Sequence, residues 1–247
     1  MNLILLSDDK VSNRRTTLRG QEAQHVIHVL KPQIGETLRL GLLNGSRGTG
    51  TVVHLGHEDV DLECTFEAEP PPRPPVDLLL ALPRPKVMKR LWAQLAALGV
   101  GRIILTNAAR VERNYFDTHV LDPDFYTPLL IEGLQQAQDT RLPEVSVHRK
   151  FKPLIEDDLA ALSAAPLRLL ADPEARTGLA SAMRGPRALL AVGPEGGWVD
   201  FERGLLVEHG FIPFSLGLRT LRSDTACIAL LALVHQALKD PTSSPAA

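Results

Sequence analysis

Ala191-Val192-Gly193-Pro194-Glu195-Gly196-Gly197-Trp198 and Ser215-Leu216-Gly217-Leu218-Arg219-Thr220-Leu221-Arg222-Ser223-Asp224-Thr225-Ala226 are the stretches on which the reading of this chain turns. Each begins where a short apolar run ends, and each leads into a helical pattern. In an open α/β sheet, ligands bind in the loops outside the carboxyl ends of the strands. Gly193, Gly196 and Gly197 let backbone approach a ligand closely or take positive φ. In the second stretch, Gly217 is followed by Arg219 and Arg222, then by Ser223, a residue type that caps helices. Two such junctions close together are a stronger signal than one. Neither is a phosphate loop of the common kinds. No lysine follows Gly197, and the glycine spacing and late position do not match a dinucleotide fingerprint. A nucleotide-like ligand held mostly by backbone fits both stretches.

Working outward, strand-like and helix-like segments alternate from Val76 onward. Val76–Leu82 is an apolar run of the kind a buried parallel strand shows. Pro83–Leu98 carries Val87, Leu91, Leu95 and Leu98 at helical spacing, with Gly99 as a stop. Arg102–Leu105, Val145–His148, Leu167–Ala171, Arg187–Val192 and Ile212–Leu216 read as further strands. Asp122-Pro123 starts a helix that runs to about Gln138. Pro153–Leu162 and Asp200–His209 read as helices, the second capped by Asp200 and stopped by Gly210. Ser223–Lys239 is the last helix. It is apolar on nearly every face, so it is buried inside the fold or at a subunit interface. This alternation predicts a parallel α/β sheet.

Residues 1–69 differ. Short apolar runs at Leu3–Leu6, Thr37–Leu42, Gly50–Leu55 and Val60–Phe66 are broken by turn signals such as Asn44-Gly45, with one helical stretch at Gln21–Leu30. This pattern suggests a small β-barrel. Residues 70–75 form a proline-rich spacer, residues 76–240 a second domain, and residues 241–247 a disordered tail. A net charge of -2 gives no nucleic-acid signal for the whole chain, but charge is unevenly placed. Between Leu82 and Arg113 stand seven basic residues (Arg84, Lys86, Lys89, Arg90, Arg102, Arg110, Arg113) against Glu112 alone. Such a strip is either a solvated face or the footprint of an anionic partner. Arg14, Arg15 and Arg19 offer further phosphate contacts. Cys64 and Cys227 have no metal spacing and read as free buried thiols. No signal peptide or membrane span is expected, and a cytoplasmic location follows.

Gly193-Pro194-Glu195-Gly196-Gly197, followed by Leu216-Gly217-x-Arg219-x-Leu221-Arg222-x-x-Thr225-Ala226, resembles the RsmE family of SPOUT-class methyltransferases. The resemblance extends through Leu82-Pro83-Arg84-Pro85-Lys86, Leu98-Gly99-Val100-Gly101-Arg102-Ile103, Glu132 with Gln136, and His25-x-x-His28-Val29-Leu30-Lys31. It implies a PUA-like barrel at the N-terminus and a trefoil-knotted sheet at the C-terminus, formed from Leu167 onward. It also implies a homodimer and no metal. The implied activity is methylation of N3 of a uridine in 16S ribosomal RNA of the small subunit, with S-adenosyl-L-methionine as cofactor.

The cofactor would be held by loops that begin at Leu170 and Ala171, at Gly193, Pro194, Glu195, Gly196 and Gly197, and at Leu216, Gly217, Leu221, Arg222 and Thr225. RNA would meet Arg14, Arg15, Lys31, Arg84, Lys86, Lys89, Arg110, Arg113 and Arg219. Uridine N3 must lose its proton to become a nucleophile. A guanidinium, which does not act as a base, would stabilise the resulting planar anion through paired hydrogen bonds. Arg222 is the candidate, unless it is tied up in a salt bridge to Asp224 or Glu195. Glu195 is a base or an anchor of the glycine loop. The competing readings are a SPOUT enzyme acting on another RNA base and a non-catalytic RNA-binding protein.

Overall fold

The computed structural model describes residues 3–183, 185–217 and 219–239. Leu218 of the second loop and the tail at 241–247, expected to be disordered, lie outside the described residues. The chain divides into two units: Met1–Arg73 with Ile131–Leu142, and Pro74–Leu130 with Pro143–Ala247.

The first unit contains β1 (Ile4–Leu6), β2 (Arg15–Arg19), α1 (Gly20–His25, continued by a π-type turn at Val26–Leu30), β3 (Thr37–Leu42), β4 (Arg47–Leu55) and β5 (Asp59–Phe66). The strands form one sheet in the order β1-β3-β4-β5-β2. β1 pairs with β3 in parallel and the other ladders are antiparallel. β1 and β2 stand at opposite ends of this order, with no ladder joining them among the described residues. Leu6, Leu18, Leu40, Val52, Val60 and Leu62 are fully buried and make the core. β2 escaped the sequence reading. It buries Thr16 and Leu18 and exposes Arg15, Thr17 and Arg19, the period-2 alternation of a strand with one wet face. Asn44 takes the expected turn between β3 and β4, with φ of 61°.

The second unit contains β6 (Val76–Ala81), α2 (Pro85–Ala97), β7 (Val100–Thr106), α3 (Pro123–Ala137), β8 (Glu144–His148), α4 (Phe151–Pro153), α5 (Leu159–Leu162), β9 (Leu167–Ala171), α6 (Leu179–Ala182), β10 (Ala188–Val192), α7 (Asp200–Glu208), β11 (Phe211–Phe214) and α8 (Ser223–Lys239). From Ile131 on, α3 belongs to the first unit. The six strands are parallel throughout, in the order β11-β9-β10-β6-β7-β8. Every residue of β6 and β10 is buried, as central parallel strands covered on both faces require. Parallel pairing places all the carboxyl ends along one edge, and that edge carries both glycine-rich stretches.

Three helices add detail to the expectation, and one corrects it. Pro153–Leu162 is helical as expected, within a continuous helix that starts at Phe151 and carries a π-type segment at Leu154–Asp158 between α4 and α5. Asp200 does not cap α7. Val199 is the cap residue, its N–H is satisfied by Glu202 Oε2 at 3.0 Å, and Asp200 turns aside to Arg203. Gly210 ends that helix with φ of +83°, as a glycine stop should. In α8, Cys227, Leu230, Leu231 and Val234 are buried within the chain, while Ile228 and Leu233 face outward at 37% and 46% exposure. Among the described residues no helix is long and apolar enough to cross a membrane.

Candidate functional site

The loops after β9, β10 and β11 converge on a cavity of about 840 Å³ at the carboxyl edge of the second unit's sheet. Its lining includes Ala171, Gly193 to Trp198, Ser215 to Gly217, and Arg219 to Leu221. The loop after β10 is a tight turn in which Gly197 N–H donates to the Pro194 carbonyl at 2.8 Å. Gly197 holds φ of +75°, which an L side chain rarely adopts. Gly193 answers a different need. A Cβ there would lie 3.0 Å from Trp198 Nε1, so the indole occupies the space a side chain would take. Trp198 is 6% exposed and packs on Phe151, with ring centroids 5.4 Å apart. In the loop after β11, Ser215 Oγ accepts the Gly217 N–H at 3.0 Å. Ser215 N–H in turn donates to Thr177, tying this loop to the one after β9.

Nine of the residues expected to hold a cofactor line this cavity: Ala171, Gly193, Pro194, Glu195, Gly196, Gly197, Leu216, Gly217 and Leu221. Leu170 is buried in β9, and Thr225 is exposed on α8 outside the lining. Arg222 is also exposed and outside the lining, although its neighbours Leu221 and Ser223 are both part of it. The salt bridge considered for Arg222 does not form. Asp224 pairs with Arg90 at 3.1 Å and Glu195 with Arg84 at 3.4 Å. Among the described residues the Arg222 and Arg219 side chains make no hydrogen bond or ion pair, and Arg219 faces the cavity.

The basic strip does not act as one group. Arg84 is engaged by Glu195, Arg90 by Asp224 and Arg102 by Glu144. Lys89 stands 5.8 Å above the Phe125 ring. Lys86 and Arg113 have no partner among the described residues. Arg110 lines the cavity, and its Nη1 donates to the Gly196 carbonyl. In the first unit, Arg14, Arg15 and Lys31 are exposed, with Arg14 and Lys31 at φ of 61° and 49°.

Among the lining residues that sequence reasoning did not single out are Trp198, Asp172, Glu174 and Arg203. Arg203 Nη1 meets Asp172 at 3.3 Å and Glu174 at 2.7 Å, and Nη2 meets Asp200 at 2.8 Å. These contacts, the hydrogen bond to Glu174 foremost, hold its guanidinium proton still more tightly than usual. No motif announced this network, because its members come from the loop after β9 and from α7, distant in the chain. Two buried polar atoms on lining residues of the cavity, Trp198 Nε1 and Ser223 Oγ, have no partner among the described residues. Buried polar groups are satisfied in nearly all native structures, so these two mark a place where a ligand's polar atoms are expected.

Comparison with known proteins gives a consistent result. The family model described as the RNA methyltransferase domain matches residues 69–235. The chain is 30% identical to the ribosomal RNA small subunit methyltransferase E of Treponema pallidum, over 95% of this chain and 90% of that protein. It is 24% identical to ribosomal RNA small subunit methyltransferase E 1 of Borreliella burgdorferi, over 93% of this chain and 95% of that protein. The crystal structure of a ribosomal RNA small subunit methyltransferase E from Neisseria gonorrhoeae, bound to S-adenosyl methionine, shares the fold with a TM-score of 0.76. That match is 20% identical and covers 96% of this chain and 97% of the other.

Proposed function

The chain belongs to the RNA methyltransferase family, among the ribosomal RNA small subunit methyltransferase E proteins, and from that membership we propose that it transfers a methyl group from S-adenosylmethionine to N3 of a uridine in 16S ribosomal RNA. The observation that carries this reading is the cavity where three strand-end loops of one parallel sheet meet. The residues present fit the cofactor. Gly193 to Gly197 bring bare backbone to the cavity wall, and Trp198 Nε1 and Ser223 Oγ, on lining residues, have no partner among the described residues. S-adenosylmethionine, when bound, supplies the electrophilic methyl group.

The protein's part is orientation and electrostatics. The backbone of Gly193 to Gly197 and of Leu216, Gly217 and Leu221 forms the walls, with Ala171 closing one side. Arg84 holds the Glu195 carboxylate, so Glu195 serves as the anchor of the glycine loop rather than as a base. Arg222, exposed and without a side-chain partner among the described residues, stands next to two lining residues and stabilises the uridine anion from the cavity rim. Arg219 faces the cavity with its charge uncommitted and receives phosphate or base oxygen. The target nucleotide leaves its stack to reach this edge. Lys86, Lys89 and Arg113 hold RNA backbone on the second unit, and Arg14, Arg15 and Lys31 on the first.

Three finer readings accompany this one. The chain from Leu167 forms a trefoil knot, a reading supported by the position of β10 between β9 and β6 and by the packing of α8 on β6, β10 and α2. The first unit is a PUA-like RNA-binding module, and the protein works in the cytoplasm as a homodimer joined through α8, whose Ile228 and Leu233 face outward. The experiment that tests the function is mass spectrometry of 16S ribosomal RNA from a strain lacking the protein, complemented by wild type or Arg222→Ala. Loss of one methylated uridine, restored only by wild type, is expected. Unaltered RNA in the deletion strain refutes the assignment.

A further inference from the structure

Arg110 stands in a strip whose charge pointed to RNA, yet it is built into the cavity from two sides. The first side is its own loop. β7 ends at Thr106, Asn107 Oδ1 accepts the Ala108 N–H at 2.9 Å, and the Ala109 N–H donates to Glu202 Oε1 at 2.6 Å. Glu202 is 4% exposed, and its other oxygen accepts the Val199 N–H at the start of α7. One buried carboxylate therefore ties the loop that carries Arg110 to the start of α7, and a buried charge that is hydrogen-bonded at both oxygens holds its geometry firmly. The second side is the glycine loop. Arg110 Nη1 donates to the Gly196 carbonyl, and a Cβ on Gly196 would lie 2.8 Å from Arg110 Cδ. The arginine stem occupies the volume that glycine leaves open.

We propose that Arg110, set in place by Glu202, is a positioning residue that fixes the glycine loop over the cofactor cavity, and that it does not serve as an RNA phosphate contact. The inference rests on the reading that this cavity holds S-adenosylmethionine. Gly196 holds no positive φ, and its nearest neighbour in the space of a Cβ is the Arg110 stem. These contacts separate Arg110 from Lys86 and Arg113, whose charges have no partner among the described residues.

The test compares wild type, Arg110→Ala and Arg110→Lys, using calorimetric titration with S-adenosylmethionine, methyl-transfer kinetics, and binding to 16S ribosomal RNA transcript as a function of salt. Arg110 is exposed, so neither substitution empties a core. Removing a hydrogen bond from a charged donor is expected to weaken cofactor binding roughly tenfold. The KM for S-adenosylmethionine should rise with little change in kcat, while the salt slope of RNA binding stays put. A lysine ammonium can supply the single donor that Gly196 uses, so Arg110→Lys should recover most of the loss. Gly196→Ala should weaken cofactor binding in wild type and much less in the Arg110→Ala background, because the stem it strikes is gone. Unchanged cofactor affinity in Arg110→Ala, together with a salt slope shallower by about one, overturns the proposal and returns Arg110 to the RNA surface. Additive effects of Gly196→Ala and Arg110→Ala overturn it as well. A wild type that takes up no S-adenosylmethionine defeats the functional reading beneath it, and this is seen before any substitution is made.

Discussion

Gly193→Ala is the sharpest perturbation of the cofactor cradle. The added Cβ would meet Trp198 Nε1 at 3.0 Å, Cδ1 at 3.1 Å and Cε2 at 3.2 Å, all closer than the 3.4 Å at which ordinary contact begins. The indole has little room to retreat, since it is 6% exposed and backed by Phe151. Forcing one methyl group into a packed site costs about 1–3 kcal/mol. For a unit of this size each kcal/mol lowers the melting temperature by about 2–4 °C, so a drop of roughly 2–12 °C is expected by calorimetry. If the strain moves the loop instead of the ring, it appears in the cofactor titration, where about 1.4 kcal/mol is a tenfold change in affinity. Trp198→Phe removes the five-membered ring that the methyl strikes, so the double variant should recover part of both losses. A Gly193→Ala protein that melts and binds S-adenosylmethionine like wild type would refute the claim that glycine is needed here for close approach.

Neutralising Lys86, Lys89 and Arg113 together should weaken RNA binding and flatten its salt dependence without touching cofactor affinity; an unaltered salt slope marks them as solvated surface. Burial pushes the Cys227 thiol from its ordinary 9.0 up to about 12, so above pH 9 the unfolded chain releases a proton that the folded chain keeps. Stability present below pH 9 should therefore fall as pH rises toward 12, and Cys227→Ala should melt with a shallower alkaline decline; equal slopes would show that the thiol does not contribute. Leu233→Glu should dissociate the proposed homodimer in light scattering, whereas a charge at Leu230 or Val234 should unfold the chain, because both are buried within it. A wild type that is monomeric at micromolar concentration and fully active rules the dimer out.

The glycine loops were legible because their chemistry is local: a turn that needs positive φ at Gly197 writes glycine into the sequence. The central strands were legible for a similar reason, since burial on both faces makes β6 and β10 unbroken apolar runs. β2 was not, because an edge strand with one wet face can place Thr16 where a core strand would place valine. Glu202, Arg203 and Asp172 were invisible as site residues. Each acquires its role from groups distant in the chain, and an acidic or basic residue on a helix looks the same whether it braces a loop or meets solvent. The bond from Arg110 to the Gly196 carbonyl was hidden for the same cause, for a strip of charge reports sign and not partner.

The order of the six strands has a consequence for how the molecule comes into being. β10 pairs with β9 on one side and, on the other, with β6, aligning Ala188 with Val76 across most of the second unit's sequence. Such distant pairings incur loop-closure entropy before any contact rewards it, so a sheet of this topology assembles slowly. The glycine loop hangs from the end of β10, and the cavity exists only once β10 has found both neighbours. Recovery of cofactor binding during refolding should therefore trail the return of helical circular dichroism, and the ligand becomes a reporter of the last stage of assembly.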